Sequence, residues 1–439
     1  LTLQDAIDQV VATQKATAFQ GYQHLEQSSC VQALVVNGEP ATSAAAGDRV
    51  QIVLDTTPFY GEGGGQVGDR GVLSGADVIV AIESVSRSRD VFVHAGRIER
   101  GQLTVGDAIT AQVDRACRRR AQANHTATHL LQAALKQVVD SGIGQAGSLV
   151  DFDRLRFDFH APQAVTTEQL ERIETLINGW IAEAHSLLVE EMAIDQAKAA
   201  GAVAMFGEKY ADVVRVVDVP GVSMELCGGT HVANTAEIGL FKIVSESGVA
   251  AGIRRIEAVA GASVLGYLNE REVVVKQLGD RFKAQPGEIV ERVVALQDEL
   301  KSTGKALIAA QAELAVAKSA ALATKALAIG SFQLLVERLD GVDGTGLQGA
   351  AQSLAAQLGD GAAVVLGGLP DPADQGKVIL VAAFGKDVIA AKQQAGKFIG
   401  AIAKLCGGGG GGRPNLAQAG GRDGAALAGA LETARSELE

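Results

Sequence analysis

Four cysteines in 439 residues, Cys30, Cys117, Cys227 and Cys406, are too few and too widely spaced to frame a disulfide-stapled fold. No uninterrupted run of 18 strongly apolar residues occurs, so no membrane span is expected. Leu1 to Val11 lack the basic and apolar regions of a secretory signal. Together these absences point to the reducing cytoplasm, with no membrane partner. No P-loop is present either, because the glycines at 407–412 are not followed by Lys-Ser/Thr. Aromatic residues make up only 4% of the chain, while glycine reaches 53 residues and alanine is abundant. That mixture suits closely packed helices and many tight turns. The chain opens on Leu1 rather than Met, which is read as a piece of something longer.

The apolar content of 47% is that of an ordinary globular protein. Cores stop growing beyond about 250–300 residues, so several domains are expected. A net charge of -12 speaks against a nucleic-acid partner only if the charge is evenly spread, and it is not. Arg115, Arg118, Arg119 and Arg120 crowd one short stretch. Between Gly376 and Gly424 seven basic residues, among them Lys392, Lys397, Lys404 and Arg413, face two acidic ones. Fields on a protein surface decay within about 10 Å, so such local patches can hold phosphates on an acidic chain. The plainer alternative is that they are solvated helix faces.

Patterning divides the chain into four zones and predicts an α+β multidomain fold. Residues 1–103 read as a helix over 1–24 followed by a small antiparallel β-barrel, with alternating runs at Val31–Val36, Val50–Leu54, Val78–Ile82 and Val91–Val93. Residues 104–265 read as a mixed α/β domain, with helices over Asn124–Val139 and Leu170–Ala184 and a strand at Leu155–Phe159. Residues 270–328 read as a helical coiled-coil segment, with a heptad running through Ile289, Leu296, Leu300, Leu307 and Leu314 to Thr324. Residues 329–439 read as a compact α/β module that includes a helix over Asp387–Leu405.

Two short motifs carry the chemistry. His125 and His129 stand four residues apart, on one face of a helix. Alone, such a pair is more often a packing pair than a metal site. No Glu follows His125, so this is not the metalloprotease motif. Cys227 and His231 flank Gly228, Gly229 and Thr230, and the glycines let both side chains turn to one point. Thiolate plus imidazole donors select zinc over magnesium or calcium, and the two pairs together supply four tetrahedral ligands. One zinc per chain is the expectation. A shell of four protein ligands is normally structural, whereas catalytic zinc keeps an open position. Cys227 either completes that shell or yields its place to substrate or water. The bare N–H groups of the Gly-Gly stretch suit a developing oxyanion. His24, His94, His160 and His185 have no evident partners in the sequence and receive no role.

His125–Leu131 (HTATHLL), Met205–Tyr210 (MFGEKY), Glu225–His231 (ELCGGTH), Ile253–Ala258 (IRRIEA) and Gly407–Gly421 (GGGGGGRPNLAQAGG) resemble, in order and approximate spacing, the alanyl-tRNA synthetase family. The resemblance covers about 400 residues. It implies that Glu62–Gly71 (EGGGQVGDRG) belongs to a small barrel beside an editing domain. It also implies that His125, His129, Cys227 and His231 surround the editing zinc, and that Gln145 lines the pocket. The implied reaction is hydrolysis of serine or glycine wrongly esterified to alanine tRNA. The C-terminal module resembles the family's tRNA-binding domain, joined by a coiled segment that mediates homodimers. The family's aminoacylation domain is missing from this segment, so no ATP is expected. A free-standing trans-editing deacylase and a zinc-stabilised RNA-binding module without catalysis are the alternatives. A site sized for alanine rejects an added hydroxyl only modestly, and Gln145, Thr126 and Thr128 are candidates to recognise it. The threonines equally suit bonds to their own helix backbone.

Overall fold

Strands that alternate between apolar and polar residues bury one face, and six of them here close on themselves. The computed structural model describes residues 2–204 and 210–439, so most of the Met205–Tyr210 motif lies outside the described residues. Helix α1 (Leu3–Val11) begins with a capping box between Thr2 and Asp5. It ends at Val11 rather than near residue 24, because Thr17 is pulled into the sheet by bonds from its N–H to Asp90 O and from its hydroxyl to Leu54 O. The barrel strands are β1 (Glu26–Val36), β2 (Arg49–Leu54), β3 (Gly71–Ser74), β4 (Ile79–Ser88), β5 (Val91–Arg100) and β6 (Ala108–Val113). All neighbours pair antiparallel in the order β6-β3-β4-β5-β2-β1, and β1 pairs back onto β6. The closing strand β6 thus lies beyond residue 103, where the sequence reading ends the barrel. Leu34, Ile52, Leu73, Val80 and Ile98 fill the interior. On the outer face Ala33, Val53, Val91 and Val93 are covered by Val11 and its neighbours on α1.

His94 sits inside the barrel wall with partners that the sequence did not reveal. Its Nδ1 pairs with Ile52 O at 3.0 Å and its Nε2 with the Thr57 hydroxyl at 2.7 Å. A carbonyl only accepts, so Nδ1 carries the proton and Nε2 accepts from Thr57. Burial pushes this imidazole down to about 4, against the pull of the Ile52 carbonyl. The unfolded chain therefore binds a proton at higher pH than the folded one, and stability falls as the pH drops from about 6.5 to about 4. That window corresponds to roughly 3 kcal/mol. Urea unfolding across it is expected to show a steeper acid loss for the parent than for His94→Gln, and equal slopes would refute the assignment.

The mixed region follows directly. Helix α2 (Arg115–Val138) is capped by Asp114, which accepts from the N–H groups of Ala116 and Cys117. The region's other main described elements are strands β7 (Gln145–Val150) and β8 (Leu155–His160), helix α3 (Thr167–Ala182), and strands β9 (Leu188–Ala193), β10 (Val213–Val219), β11 (Ser223–Leu226), β12 (Phe241–Ala250) and β13 (Ile253–Ala260), beside short helical turns at Ile194–Ala199 and Thr235–Ile238. Two antiparallel sheets result, ordered β7-β8-β13-β12 and β9-β10-β11. Leu130, Leu131, Leu135, Ile173 and Ile177 pack the two helices onto Phe157, Phe159 and Ile256 of the first sheet. Barrel and mixed region together form one compact unit, Leu1–Val275. Helix α4 (Ala262–Phe282) runs past that boundary.

The second unit is Lys276–Glu439. Helix α5 (Ile289–Ala320) carries the predicted heptad up to Ala317, with Ala321 and Thr324 in the 3-10 helix that follows, yet Leu296, Leu300, Leu307 and Leu314 of that seam are exposed. Ala315 and Ser319, which are not seam positions, are the buried residues near its end. An 18-residue window within Pro286–Lys325 has a mean hydropathy of 1.4, so this helix is long and apolar enough to cross a membrane by length and composition. The expectation of no such stretch rested on an uninterrupted apolar run, and Ala-rich averaging passes over the charges that break it.

The rest of the unit is β14 (Leu327–Ile329), β15 (Phe332–Arg338), α6 (Gly344–Leu358), β16 (Ala362–Gly368), β17 (Val378–Phe384), α7 (Lys386–Ala390), α8 (Ala395–Leu405), β18 (Gly409–Gly412), β19 (Leu416–Gly421) and α9 (Leu427–Leu438). The six strands run β14-β15-β16-β17-β19-β18, with only β15 and β16 parallel. Every residue of β16 and β17 is buried, since α6 covers one face and α8 and α9 the other. The single helix expected over Asp387–Leu405 is broken at Lys392, whose φ of 68° is incompatible with a right-handed helix.

Candidate functional site

Helix α2 delivers His125 and His129 one turn apart, and the segment leaving β11 delivers Cys227 and His231. The four donor atoms lie within 4.8 Å of one another, so they can hold one metal ion. Cys227 Sγ stands 3.5 Å from His125 Nε2 and 3.2 Å from His231 Nε2. Burial opposes ionisation of Cys227, but the His125 and His231 imidazoles outweigh it and hold the thiol well below its ordinary range. Burial also depresses His129, yet the Glu225 carboxylate, 3.6 Å from its Nε2, and Cys227 raise it to about 9. His231 is pushed down to about 3 by burial and by the neighbouring His125.

The turn between Cys227 and His231 is held by its carbonyls. Arg215 on β10 donates to Cys227 O at 2.8 Å and to Gly229 O at 2.9 Å, and the Tyr22 hydroxyl donates to Gly228 O at 2.6 Å. The Arg215 guanidinium lies over the Tyr22 ring, 4.1 Å from its centre. In a planar trans peptide the N–H points opposite to the preceding carbonyl. The Gly229 N–H accordingly meets Cys227 Sγ at 3.4 Å, and the Thr230 N–H meets Gln66 Oε1 at 2.9 Å.

The cluster opens onto a cavity of about 500 Å³ whose wall includes Tyr22, Tyr60, Thr128, Gln145, Ser148, Arg215 and Glu225. Gln145 heads β7 and donates to Ser148 Oγ at 2.9 Å. Thr128 lines the cavity while its hydroxyl donates to Asn124 O at 2.8 Å. Thr126 is fully buried behind the cluster, where its hydroxyl meets His231 Nδ1 at 3.0 Å and accepts from Val232 N–H. It therefore orients the His231 ring and does not line the cavity.

The arginine run separates into unlike residues. Arg115 and Arg119 are exposed, and Arg120 is partly buried beside Asp153 and Cys117. Arg118 is 1% exposed, with its guanidinium on the Asp69 carboxylate and the carbonyls of Gly21 and Pro58. The sequence grouped Arg118 with the phosphate-binding candidates, and this burial removes it from them. None of the four lines the cavity. Lys392, Lys397, Lys404 and Arg413 of the second unit are all exposed. Gln66, Tyr22, Arg215 and Glu225 belong to the site and were not singled out by the sequence. Gln66 and Glu225 lie inside the Glu62–Gly71 and Glu225–His231 motifs, and Arg215 stands out as the one basic residue of the strand VVRVVDV.

Three segments match models of known families. Residues 2–117 match tRNA synthetases class II (A), residues 214–257 the threonyl and alanyl tRNA synthetase second additional domain, and residues 331–439 the DHHA1 domain. These matches place the chain in the aminoacyl-tRNA synthetase class. Over its whole length it is 96% identical to the alanine–tRNA ligase of Synechococcus sp. strain CC9902, across 438 residues that make up 49% of that protein. It is 83% identical over 443 residues to that of Synechococcus sp. strain WH7803, covering 50% of it. The chain belongs to the alanine–tRNA ligase family and spans about half the length of the curated relatives it matches. A crystal structure of the C-Ala domain from Aquifex aeolicus alanyl-tRNA synthetase is similar at 26% identity, covering 25% of this chain and 92% of that one, with a TM-score of 0.22.

Proposed function

We propose that this chain is the editing and tRNA-binding part of an alanine–tRNA ligase, hydrolysing the ester of serine or glycine mischarged on alanine tRNA. The observation that carries this reading is the convergence of three imidazoles and a thiolate on one point, with His125, His129 and Cys227 lining the cavity. The donor set fits zinc, whose ligands are drawn from Cys and His. His125, His129, Cys227 and His231 would hold it, and a bound zinc supplies a positive charge that anchors and polarises the ester. The half-buried Cys227 is the ligand placed to share its position with substrate or water.

The protein's own groups do the remaining work. The Gly228 N–H points away from the carbonyl held by Arg215, and it serves as a donor for the negative oxygen that develops when water adds to the ester carbonyl. Gln145 and Thr128 offer polar groups to the serine hydroxyl. A site that hydrogen-bonds a substrate hydroxyl discriminates far better than one that merely leaves room for it. The exposed Arg115, Arg119, Lys392, Lys397, Lys404 and Arg413 contact phosphates of the tRNA. The exposed leucine seam of α5 mediates a homodimer, and the protein works in the cytoplasm.

Incubating the chain with seryl- and alanyl-tRNA for alanine tests the proposal. The seryl ester is expected to disappear at least tenfold faster than the alanyl ester, and Gln145→Ala is expected to shrink that ratio while leaving the unfolding curve unchanged. Loss of neither ester above the spontaneous rate would contradict the proposal.

A further inference from the structure

The side chain that fixes His125 comes from the barrel. Resting on the reading of the four donors as a zinc centre, we propose that Gln66 is a positioning residue that sets the proton and the orientation of His125. Gln66 belongs to the glycine-rich segment between β2 and β3, and it is completely buried. Its amide makes three contacts. Oε1 accepts from Thr230 N–H at 2.9 Å and lies 2.8 Å from His125 Nδ1, while Nε2 donates to Thr230 Oγ1 at 2.9 Å.

This network leaves no choice of proton. A backbone N–H can only donate, so the atom facing Thr230 N is the amide oxygen. An oxygen with no proton can only accept, so His125 Nδ1 must carry the hydrogen. The lone pair then sits on Nε2, the atom that faces Cys227 Sγ. A neutral imidazole without Gln66 divides its proton between the two nitrogens, and the form protonated at Nε2 cannot ligate a metal through Nε2, the atom that faces Cys227.

The segment carrying Gln66 is itself clamped. Val67 N–H donates to Val150 O at 3.0 Å, and Val150 N–H donates to Gly65 O at 2.7 Å. A Cβ at Gly65 would stand 2.8 Å from Ser148 O, and one at Gly68 only 2.0 Å from Val85 O. Side chains at those two positions are excluded, and Gln66 is thereby held between the barrel and β7. The barrel is part of the metal centre, although it supplies none of the four ligands.

The test is zinc affinity of the full chain, measured by competition with a chromophoric chelator, together with the visible spectrum of the cobalt(II)-loaded protein. Gln66→Leu removes both acceptor contacts and is expected to weaken zinc binding ten- to a hundredfold, the range for residues that orient a metal-bound histidine. Gln66→Glu keeps an acceptor for His125 and Thr230, and is expected to bind zinc within threefold of the parent with the parent's cobalt spectrum. Affinity of Gln66→Leu within threefold of the parent, its circular dichroism unchanged, would overturn the proposal. If Gln66→Leu fails to fold, Gln66→Glu decides alone, because a loss beyond threefold there also overturns it. A parent chain that takes up no zinc overturns the metal reading and this inference together, whereas normal uptake by the parent isolates the inference.

Discussion

Gly229→Ala is expected to abolish the metal centre, while Gly228→Ala leaves it intact. A Cβ built at Gly229 would lie 2.0 Å from His125 Cε1, 2.3 Å from His125 Nδ1 and 2.9 Å from Gln66 Oε1. The ring has no room to retreat, because His125 is 5% exposed and its Nδ1 is bound to the buried Gln66. The alanine must therefore push the imidazole out of its ligating position or shift the Cys227–His231 turn. At Gly228 the nearest atom to a Cβ is the Tyr22 hydroxyl, 4.0 Å away. Either displacement is expected to cost about a hundredfold in zinc affinity and in ester hydrolysis for Gly229→Ala, on the order of the effects seen when ligand orientation is disturbed. Gly228→Ala is expected to stay within about threefold on both measures, since no contact tightens. Chelator competition and initial rates of seryl-tRNA hydrolysis read the two effects. Equal behaviour of the two variants would mean that the turn is not packed as described.

Arg118→Ala is expected to be the most destabilising single change in the first unit. Its guanidinium reaches the Asp69 carboxylate, Gly21 O at 2.6 Å and Pro58 O at 2.8 Å, and both charged partners are almost wholly buried. Asp69 in turn accepts from Tyr60 N–H at 2.6 Å. Truncating the arginine leaves a buried carboxylate without its countercharge and two carbonyls without donors. Breaking a buried pair from one side costs about 3–5 kcal/mol. Lysine is no substitute, because one ammonium cannot span a carboxylate and two carbonyls in the plane that the guanidinium occupies. Arg119→Ala, in the same run but exposed, is expected to change stability by less than about 0.5 kcal/mol. Urea unfolding of the three variants beside the parent checks this. A loss under about 1 kcal/mol for Arg118→Ala would contradict the structure's account of that side chain.

These two substitutions also mark where the sequence stopped being readable. The clustering of the four side chains was legible because their pairs are local, with His125 and His129 one helical turn apart and Cys227 and His231 across a glycine turn. The barrel was legible because period-two alternation survives in β1, β2 and β5. Gln66 was not, since its partners lie 59 and 164 residues away and a glutamine in a glycine-rich loop carries no periodic signal. Nor could the sequence say which of Gly228 and Gly229 is sterically required. Arg118 looked like one of four solvated arginines because charge type says nothing about burial, and its partner Asp69 is 49 residues away. Helix α1 was drawn too long because the pull of the barrel on Thr17 is a tertiary effect. The break at Lys392 was missed because lysine rarely adopts a left-handed backbone. His94 lacked a visible role for the same reason as Gln66, as its bonds run across strands to Ile52 and Thr57.

If the His125, His129, Cys227 and His231 cluster is the hydrolytic centre and not a staple for the fold, hydrolysis depends on its zinc while the fold does not. The direct measurement is the rate of seryl-tRNA hydrolysis by one preparation as isolated, after zinc removal by a chelator, and after return of one equivalent of zinc, with circular dichroism recorded at each stage. Metal binding can be coupled to folding, so the fold must be followed alongside the rate. Hydrolysis is expected to fall to the spontaneous rate on zinc removal, with a folded spectrum throughout, and to recover with one equivalent. Undiminished hydrolysis by the zinc-free, folded chain would contradict that dependence.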